Sequence, residues 1–443
     1  MEELRGNGVQ ANATTRMVVG AIHESPIFSE KGANPMAEGT HTPTSRRDFF
    51  RVATLAGTAG LSGGMGILPM NVHGQDARAT TAPKIKVTDI KAYVLKTGQT
   101  LVEVFTDGGI SGWGECSPMI HGSAFAPLID KAIRPAVVGQ NPFDVEKIWR
   151  RVFFGRYKLG PMGIYLNALA GVDIALWDIM GKALGVPCYM LMGGKVRDKV
   201  PLYASAMRHR RSPVDEAKHL VKWIEQGYTA AKIHPYSEWA WNQGKDDTLD
   251  VVREVRAALP DIQLGVDPNN AYTVDRAIEV GRQLERLGCA WFEEPIAAFD
   301  YAGYARLCDA LDIAVSSGEQ EYTRWQHKDL IEQGKVDIIQ PDVVKCGGLT
   351  ELRKIGTLAS IFNRPIKCHN TQPTVGTAAH YHFWVSEPMC LDHQEYPADD
   401  HPLRDRFPIL AEPLQIEKGF LTMPDRPGLG VEINRKALKD LME

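Results

Sequence analysis

Three short apolar runs, QLGVD (263–267), AWFEE (290–294) and IAVSSGE (313–319), follow one another in the second half of the chain and carry Asp267, Glu293 and Glu319. These three carboxylates are spaced 26 residues apart. That interval fits one strand, one turn and one helix, so parallel strands would deliver the carboxylates side by side at one end of a sheet. Packed carboxylates raise one another's pKa unless a cation is present, and an all-oxygen site suits a hard ion. The spacing therefore predicts a site for one Mg²⁺ ion.

Two alternatives apply to this triad. The carboxylates would be unrelated helix caps or salt-bridge partners if their strands were not neighbours. Glu294 is also a rival to Glu293 as a ligand. Adjacent residues of an extended strand point to opposite sides, so only one of the two is expected to reach the ion.

The rhythm of strand and helix continues on both sides of the triad. Eight βα-type units predict an α/β fold, a modified (β/α)8 barrel of TIM type close to (β/α)7β, with its active site at the carboxyl ends of the strands. Residues 191–410 would form this barrel, residues 85–190 an α+β capping domain, and residues 411–443 a segment that packs back on the capping domain. The strand candidates of the barrel are Pro201–Ser205, Ala230–His234, Gln263–Asp267, Ala290–Glu293, Ile313–Gly318, Asp337–Pro341, Pro365–His369 and Met389–Leu391.

Residues 1–84 differ in character from the rest of the chain. Arg46 and Arg47 precede a Gly/Ala-rich apolar run over residues 52–70, and Ala77-Arg78-Ala79 has the form of a cleavage site. This pattern resembles a twin-arginine export signal, with a chance Arg-Arg pair as the alternative. The expectation is export to the periplasm or cell envelope, or a cytoplasmic protein if the signal does not function.

The composition is that of an ordinary globular protein. The 443 residues are 44% hydrophobic and 23% charged, with a formal net charge of −4. Nothing in this balance favours nucleic acid or an anionic membrane surface as a partner. No apolar stretch beyond the N-terminal region predicts insertion into a membrane. The seven scattered cysteines are expected to be core thiols.

Lys232 and His234 share one face of the strand before the triad, because side chains alternate along a strand. A cation beside a metal ion and another cation is expected to have a lowered pKa, which suits either residue to proton abstraction. The structural alternative is a Lys inside the barrel that pairs with a carboxylate.

Beyond the triad, Asp342 ends the sixth predicted strand and His369 the seventh. An Asp beside a His orients the imidazole ring and supports its protonated form, so these residues form a candidate acid–base pair. Lys345 is a weaker candidate just after Asp342. Asp392 and Glu395 place carboxylates at the eighth strand, where one of them would bond a developing enediolate.

Together these residues resemble the enolase superfamily, and within it the mandelate racemase subgroup. The similarity runs from Lys86 to the C-terminus and includes the Gly112-Trp113-Gly114-Glu115 stretch of the capping domain. The resemblance implies Mg²⁺ on the triad and removal of the α-proton of a carboxylate substrate. His234 departs from the pattern, because racemase-type members usually carry a second lysine there. Which of Lys232 and His234 is the base therefore stays open.

The resemblance favours dehydration of an acid sugar to a 2-keto-3-deoxy acid, and the run Gln394-Glu395-Tyr396 favours Glu395 over Asp392. A racemase or epimerase with the same fold is one alternative, and a barrel that binds acid sugars without turnover is another. A cycloisomerase is less expected, since those relatives place a lysine at the end of the sixth strand and lack this His–Asp pair. The resemblance also implies a homo-oligomer with a small acid as substrate. Candidate substrate contacts are Asn269, Lys345 and Asp392, together with His121, Arg208 and His209, for which a solvated loop is the alternative.

Overall fold

The structure, a computed structural model, describes residues 83–118, 121–160, 162–207, 211–235 and 245–443. The predicted twin-arginine signal and the substrate candidates Arg208 and His209 lie outside the described residues.

An antiparallel three-stranded sheet begins the described chain: β1 (Val87–Val94), β2 (Thr100–Thr106) and β3 (Ser111–Glu115). Gly98 turns the chain between β1 and β2 with a φ of 91°, in a region that L side chains rarely adopt. Helical segments then cover the sheet over residues 122–137, followed by two longer helices. The α-helices here are α1 (Phe125–Leu128), α2 (Arg134–Val137), α3 (Val145–Gly155) and α4 (Ile164–Leu184).

Helix α4 is the central helix of the capping domain. Among the described helices it alone is long and apolar enough to cross a membrane, yet 94% of its most apolar window is buried inside the protein. Its small residues pack against β3, which is the behaviour of a core helix.

The barrel strands are parallel, and from β4 to β9 each pairs with the next. The last strand, β10, pairs in parallel with β4 and so brings the two ends of the strand series together. An α/β barrel with an N-terminal capping domain is thus confirmed. The strands are β4 (Val200–Ser205), β5 (Ala230–Ile233), β6 (Gln263–Val266), β7 (Trp291–Glu293), β8 (Ala314–Ser317), β9 (Ile338–Ile339) and β10 (Gln394–Pro397).

Within the described ranges, seven helices connect these strands. Their apolar faces pack on the outside of the barrel, as expected for amphipathic helices on a parallel sheet. They are α5 (Pro213–Glu225), α6 (Thr248–Ala258), α7 (Val274–Arg286), α8 (Tyr301–Ala310), α9 (Arg324–Glu332), α10 (Leu349–Ile361) and α11 (Val375–Ser386).

Two predicted strands differ from the structure. The seventh, Pro365–His369, is reduced to a single parallel bridge between Ile366 and Ile339. The eighth is wrong: the strand is Gln394–Pro397, not Met389–Leu391. The predicted segment is short and apolar but leads from helix α11 into a turn, whereas the true strand carries polar side chains that are buried because the barrel surrounds them. The hydrophobicity of the local sequence does not indicate that the closed barrel buries these polar side chains.

The C-terminal segment contacts both domains. The hairpin of β11 (Gln415–Glu417) and β12 (Phe420–Thr422) extends the barrel sheet, because β12 pairs antiparallel with β4. Helix α12 (Arg435–Leu441) then reaches the capping sheet, where Arg435 forms an ion pair with Glu103 at 2.6 Å. The segment therefore bridges the barrel and the capping domain.

Two glycines of the Gly112-Trp113-Gly114-Glu115 stretch allow β3 to lie directly on helix α4. A Cβ at Gly114 would lie 1.8 Å from the carbonyl oxygen of Gly171, and one at Gly112 would lie 2.1 Å from that of Ala175. Both neighbours are backbone atoms, which cannot turn aside as a side chain can.

We therefore expect Gly114→Ala to lower the free energy of unfolding by about 1–3 kcal/mol or more, because overpacking forces the backbone apart. The matched control is Gly155→Ala at the end of α3, where a Cβ meets nothing within 4 Å. That variant should be neutral or slightly more stable. Urea unfolding of both variants checks the prediction, and equal stabilities would contradict it.

Candidate active site

The carboxyl ends of the barrel strands bring most of the predicted site residues together. Side chains alternate along a strand, so Lys232 points inward one pleat above Ala230, and Glu293 one pleat above Trp291. Ala230 and Trp291 form an apolar interior layer together with Tyr203, Ala314 and Ile338. The polar residues of the site therefore stand on a packed apolar floor inside the barrel.

Lys232 is the centre of the first group of charges. Its ammonium contacts Glu293, and it lies 2.8 Å from Glu395 Oε1 and 3.3 Å from Asp267 Oδ2. All four side chains are buried. Because burial makes uncompensated charges very costly, this lysine is what allows three carboxylates to be packed together.

His234 stands beside this group with a defined orientation. Its Nδ1 contacts the carbonyl oxygen of Ala206, and its Nε2 lies 3.1 Å from Asp267 Oδ2. A carbonyl oxygen only accepts hydrogen bonds, so Nδ1 carries a proton. Nε2 is therefore the nitrogen that exchanges its proton with the site.

The protein's own charges raise the pKa values of Lys232 and His234, opposite in direction to the lowering expected beside a metal ion. Burial opposes protonation of Lys232, but Glu293 and Glu395 raise its pKa well above the usual value. For His234, burial likewise opposes protonation, and Asp267 raises the pKa. The expectation assumed that a metal ion would dominate, whereas the surrounding carboxylates outweigh burial here.

The third strand end is ordered by local bonds. The backbone amide and the side-chain amide of Asn269 both donate to Asp267 Oδ1 at 2.8 Å. Burial alone would raise the pKa of Asp267, but Lys232 and His234 hold it well below its usual range. Asn269, predicted as a substrate contact, is thus occupied in orienting Asp267.

Glu293 and Glu294 are both buried, although alternation predicted that only one would face the site. The strand ends at Glu293, and Glu294 has a φ of 36°, so the extended geometry behind that prediction no longer applies. Burial raises the pKa of Glu294 well above its usual value, and the charges of Glu319 and Asp267 raise it further. Both carboxylates therefore belong to the site.

Asp342 and His369 form the predicted pair. His369 Nδ1 lies 2.7 Å from Asp342 Oδ2, and its Nε2 lies 3.1 Å from Glu319 Oε2. Burial alone would lower the pKa of His369, but Glu319 and Asp342 raise it to about 9. The imidazole is therefore protonated at neutral pH. Lys345 joins this group, with its ammonium 3.3 Å from Glu319 Oε1.

A second histidine, His380 on helix α11, holds the other side of Asp342, with Nε2 3.2 Å from Oδ1. Burial would raise the pKa of Asp342, but the hydrogen bonds from both histidines hold it well below its usual range. Sequence reasoning missed His380, because α11 was not predicted and no motif marks the residue.

The two carboxylates predicted at the eighth strand lie in different parts of the barrel. Glu395, inside β10, joins Lys232 and accepts a hydrogen bond from the backbone amide of Asn370 at 2.8 Å. Asp392 precedes the strand and pairs with Lys367 at 2.8 Å, on the side where the strands begin. The prediction of Asp392 as a substrate contact is therefore wrong, since the true strand starts after it.

His121 also lies away from the strand ends. Its side chain is 56% exposed, and its Nε2 lies 3.3 Å from Glu443 Oε1. It contacts the C-terminal residue of the chain and none of the charged groups described above.

The chemistry of these residues fits a hard cation. The carboxylates Asp267, Glu293, Glu294, Glu319 and Glu395 outnumber the two lysines, and Glu294 Oε1 is a buried oxygen without a hydrogen-bond partner among the described residues. As the side chains stand, no group of three Asp, Glu, His or Cys residues in the described ranges converges to coordinate an ion. Lys232, Lys345 and His369 hold the carboxylates in this arrangement.

Comparison with known proteins agrees with this geometry. Residues 80–193 match the N-terminal domain of mandelate racemase / muconate lactonizing enzyme, and residues 215–437 match the enolase C-terminal domain-like family. The chain is 35% identical over 356 residues to the D-galactarolactone cycloisomerase of Agrobacterium fabrum, a match that covers 78% of this chain and 91% of that protein.

Two further proteins are similar over most of their length. The arabinonate dehydratase of Saccharolobus solfataricus is 33% identical over 340 residues, covering 75% of this chain and 87% of the relative. A mandelate racemase/muconate lactonizing protein from Paracoccus denitrificans, solved in complex with magnesium, superposes with a TM-score of 0.76 at 34% identity, covering 81% and 99% of the two chains. From its barrel, its capping domain and these matches, the chain belongs to the mandelate racemase and muconate lactonizing group of the enolase superfamily.

Proposed function

We propose that the protein is a Mg²⁺-dependent lyase that dehydrates an acid sugar to a 2-keto-3-deoxy acid. The observation that carries this proposal is the placement of two histidines on either side of the buried carboxylates. His234 faces Asp267 and His369 faces Glu319, each through Nε2 and each with Nδ1 held by an acceptor. One histidine can accept a proton while the other donates one.

The charges favour one assignment of the two roles. His369 has a pKa of about 9 and is protonated at neutral pH, so it acts as the general acid that protonates the departing β-hydroxyl. His234 then acts as the base that removes the α-proton. Lys232 is held by three carboxylates and is better placed to bind the substrate carboxylate than to serve as the base.

Glu395 lies beside Lys232; burial would raise the pKa of Glu395, but the charge of Lys232 lowers it, so Glu395 must take up a proton before it can donate a hydrogen bond to the enediolate. Asp267, Glu293 and Glu319 would hold the ion, with Glu294 next to them. A bound Mg²⁺ ion supplies the positive charge that stabilises the enediolate, as in other members of the superfamily. The α-proton leaves to His234, the β-hydroxyl leaves as water with the proton of His369, and the resulting enol becomes the 2-keto acid.

Cycloisomerisation is the second candidate, and the similarity to the D-galactarolactone cycloisomerase favours it. From the sequence this activity is less expected, because the cycloisomerase relatives place a lysine at the end of the sixth strand and lack the His–Asp pair. The chemistry requires only a different leaving group, however: a ring oxygen at the β-position departs in place of a hydroxyl. The same base and acid serve both reactions.

The first prediction concerns the reaction itself. With Mg²⁺ and a library of aldonic acids, aldaric acids and their lactones, we expect semicarbazide-reactive 2-keto acid from at least one compound, and loss of that signal with excess EDTA. Product from lactones alone would identify a cycloisomerase. Inverted acid carrying deuterium from D₂O would identify an epimerase. Binding without any conversion would leave a non-catalytic sugar-binding barrel and sink the proposal.

Replacing His369 and replacing His234 should affect α-proton exchange and dehydration differently. In D₂O, His369→Asn should still exchange the α-proton of the substrate while dehydration falls by about 10²–10⁴-fold, the usual contribution of a general acid. His234→Asn should lose both exchange and dehydration. NMR of the recovered substrate measures the exchange. The opposite pattern would reverse the assigned roles.

The protonation of His369 should also make the free energy of unfolding depend on pH. A histidine whose pKa is raised from 6.5 to about 9 in the folded state stabilises the fold fully below pH 6.5, and this contribution is lost as the pH rises through 9. In metal-free protein, the stability difference between wild type and His369→Asn should therefore shrink by roughly 3 kcal/mol over this range, at about 1.36 kcal/mol per pKa unit. Urea unfolding at several pH values measures it, and parallel profiles would contradict the raised pKa.

A further inference from the structure

Two carboxylates of the capping domain reach the N-termini of two barrel helices. Glu115, at the end of β3, accepts hydrogen bonds from the Gly376 amide at 2.7 Å and from the Thr374 hydroxyl at 2.7 Å, at the start of α11. Asp173, on α4, accepts one from the Thr350 amide at 2.9 Å, at the start of α10. Both carboxylates are buried.

These contacts replace caps that the barrel helices lack. The N-cap residues are Gly348 for α10 and Thr374 for α11. Neither residue caps its own helix through a side-chain hydrogen bond. The first amides of a helix have no partners within the helix and carry a partial positive charge, so a carboxylate stabilises them. Burial raises the pKa of both Glu115 and Asp173 to about 7, which shows how unfavourable these positions are for a charge without such partners.

Both helices begin just after the acid–base pair. Helix α10 starts seven residues after Asp342, and α11 starts six residues after His369. Two tryptophans of the capping domain fasten the start of α10: Trp177 Nε1 donates to Thr350 Oγ1 at 2.9 Å, and Trp149 Nε1 donates to the Gly347 carbonyl at 2.9 Å. The chain between each catalytic residue and its helix is therefore fixed from the capping domain.

Helix α11 in turn contacts the Asp342–His369 pair and the residue next to it. His380 lies on α11 and holds Asp342 Oδ1, while Asn370, next to His369, is bonded through its side-chain amide to Thr377 Oγ1 at 2.8 Å. A shift of the N-terminus of α11 would move both the residue after His369 and the histidine that holds Asp342.

We propose that Glu115 and Asp173 are positioning residues that set the alignment of the Asp342–His369 pair from the capping domain through α10 and α11. The catalytic roles of that pair rest on the proposed function, whereas the restraint on its geometry does not. The capping domain thus does more than cover the barrel: it supplies the caps on which the acid side of the site depends.

The test compares Glu115→Ala with Asn434→Ala in the full-length, Mg²⁺-loaded protein. Asn434 caps α12 by accepting from the Ala437 amide at 3.1 Å, so its loss also removes a helix cap, but at a helix that follows no site residue. Thr374→Val, which removes one bond to Glu115 and keeps the shape, serves as the milder variant if Glu115→Ala does not fold. The first readout is the downfield proton resonance of His369 Nδ1–H, assigned by its loss in His369→Asn. The second is kcat and KM on the active acid sugar.

Glu115→Ala and Thr374→Val should shift or broaden the His369 resonance, and Glu115→Ala should lower kcat by on the order of 10–100-fold with KM unchanged, as expected for a small misplacement of a catalytic group. Asn434→Ala should change neither readout. An unchanged resonance, or an equal loss of kcat in Asn434→Ala, would overturn the proposal. If wild type converts no acid sugar, the proposed function fails, and the resonance still decides this inference because it needs no substrate.

Discussion

The contact between the Lys232 ammonium and the three carboxylates Asp267, Glu293 and Glu395 is the interaction on which the site depends. Without it, parallel strands would press like charges together in a region from which water is excluded. An uncompensated buried charge costs several kcal/mol, a large part of the net stability of a domain, so the Lys232 ammonium stabilises this cluster. The three carboxylates of this cluster outnumber its one lysine.

Around this centre, the barrel places one histidine on each of two sides. His234 is fixed by a backbone carbonyl and His369 by Asp342, so both rings face the carboxylates through the same nitrogen. The difference between them is electrostatic, because only His369 is flanked by carboxylates on both nitrogens. One fold thereby holds two chemically identical side chains in different electrostatic surroundings.

The two domains are joined by polar contacts as well as by apolar packing. Glu115 and Asp173 complete barrel helices, and Asp178 on α4 accepts the amides of Trp113 and Leu429 at 2.8 Å, which ties the capping sheet to the C-terminal segment. Gly112 and Gly114 permit this arrangement, since any Cβ there would separate β3 from α4. Within this one short stretch, the glycines thus allow close packing, and Glu115 provides a polar contact between the two domains.

The sequence by itself determined the barrel, the order of its strands and the residues at their ends, because strand and helix periodicity is a local property and the 26-residue interval repeats it. It placed Lys232, His234, Asp267, Glu293, Glu319 and Asp342 at or next to the strand ends where the structure has them, whereas the strands predicted to carry His369 and Glu395 differ from those observed. Only the tertiary structure decided the eighth strand, the direction of the Lys232 and His234 pKa shifts, the entry of Glu294 into the site and the part played by His380 and Glu115. These depend on which charges and backbone groups meet across the closed barrel and across the domain interface, and residues far apart in the chain carry no local signal of that meeting.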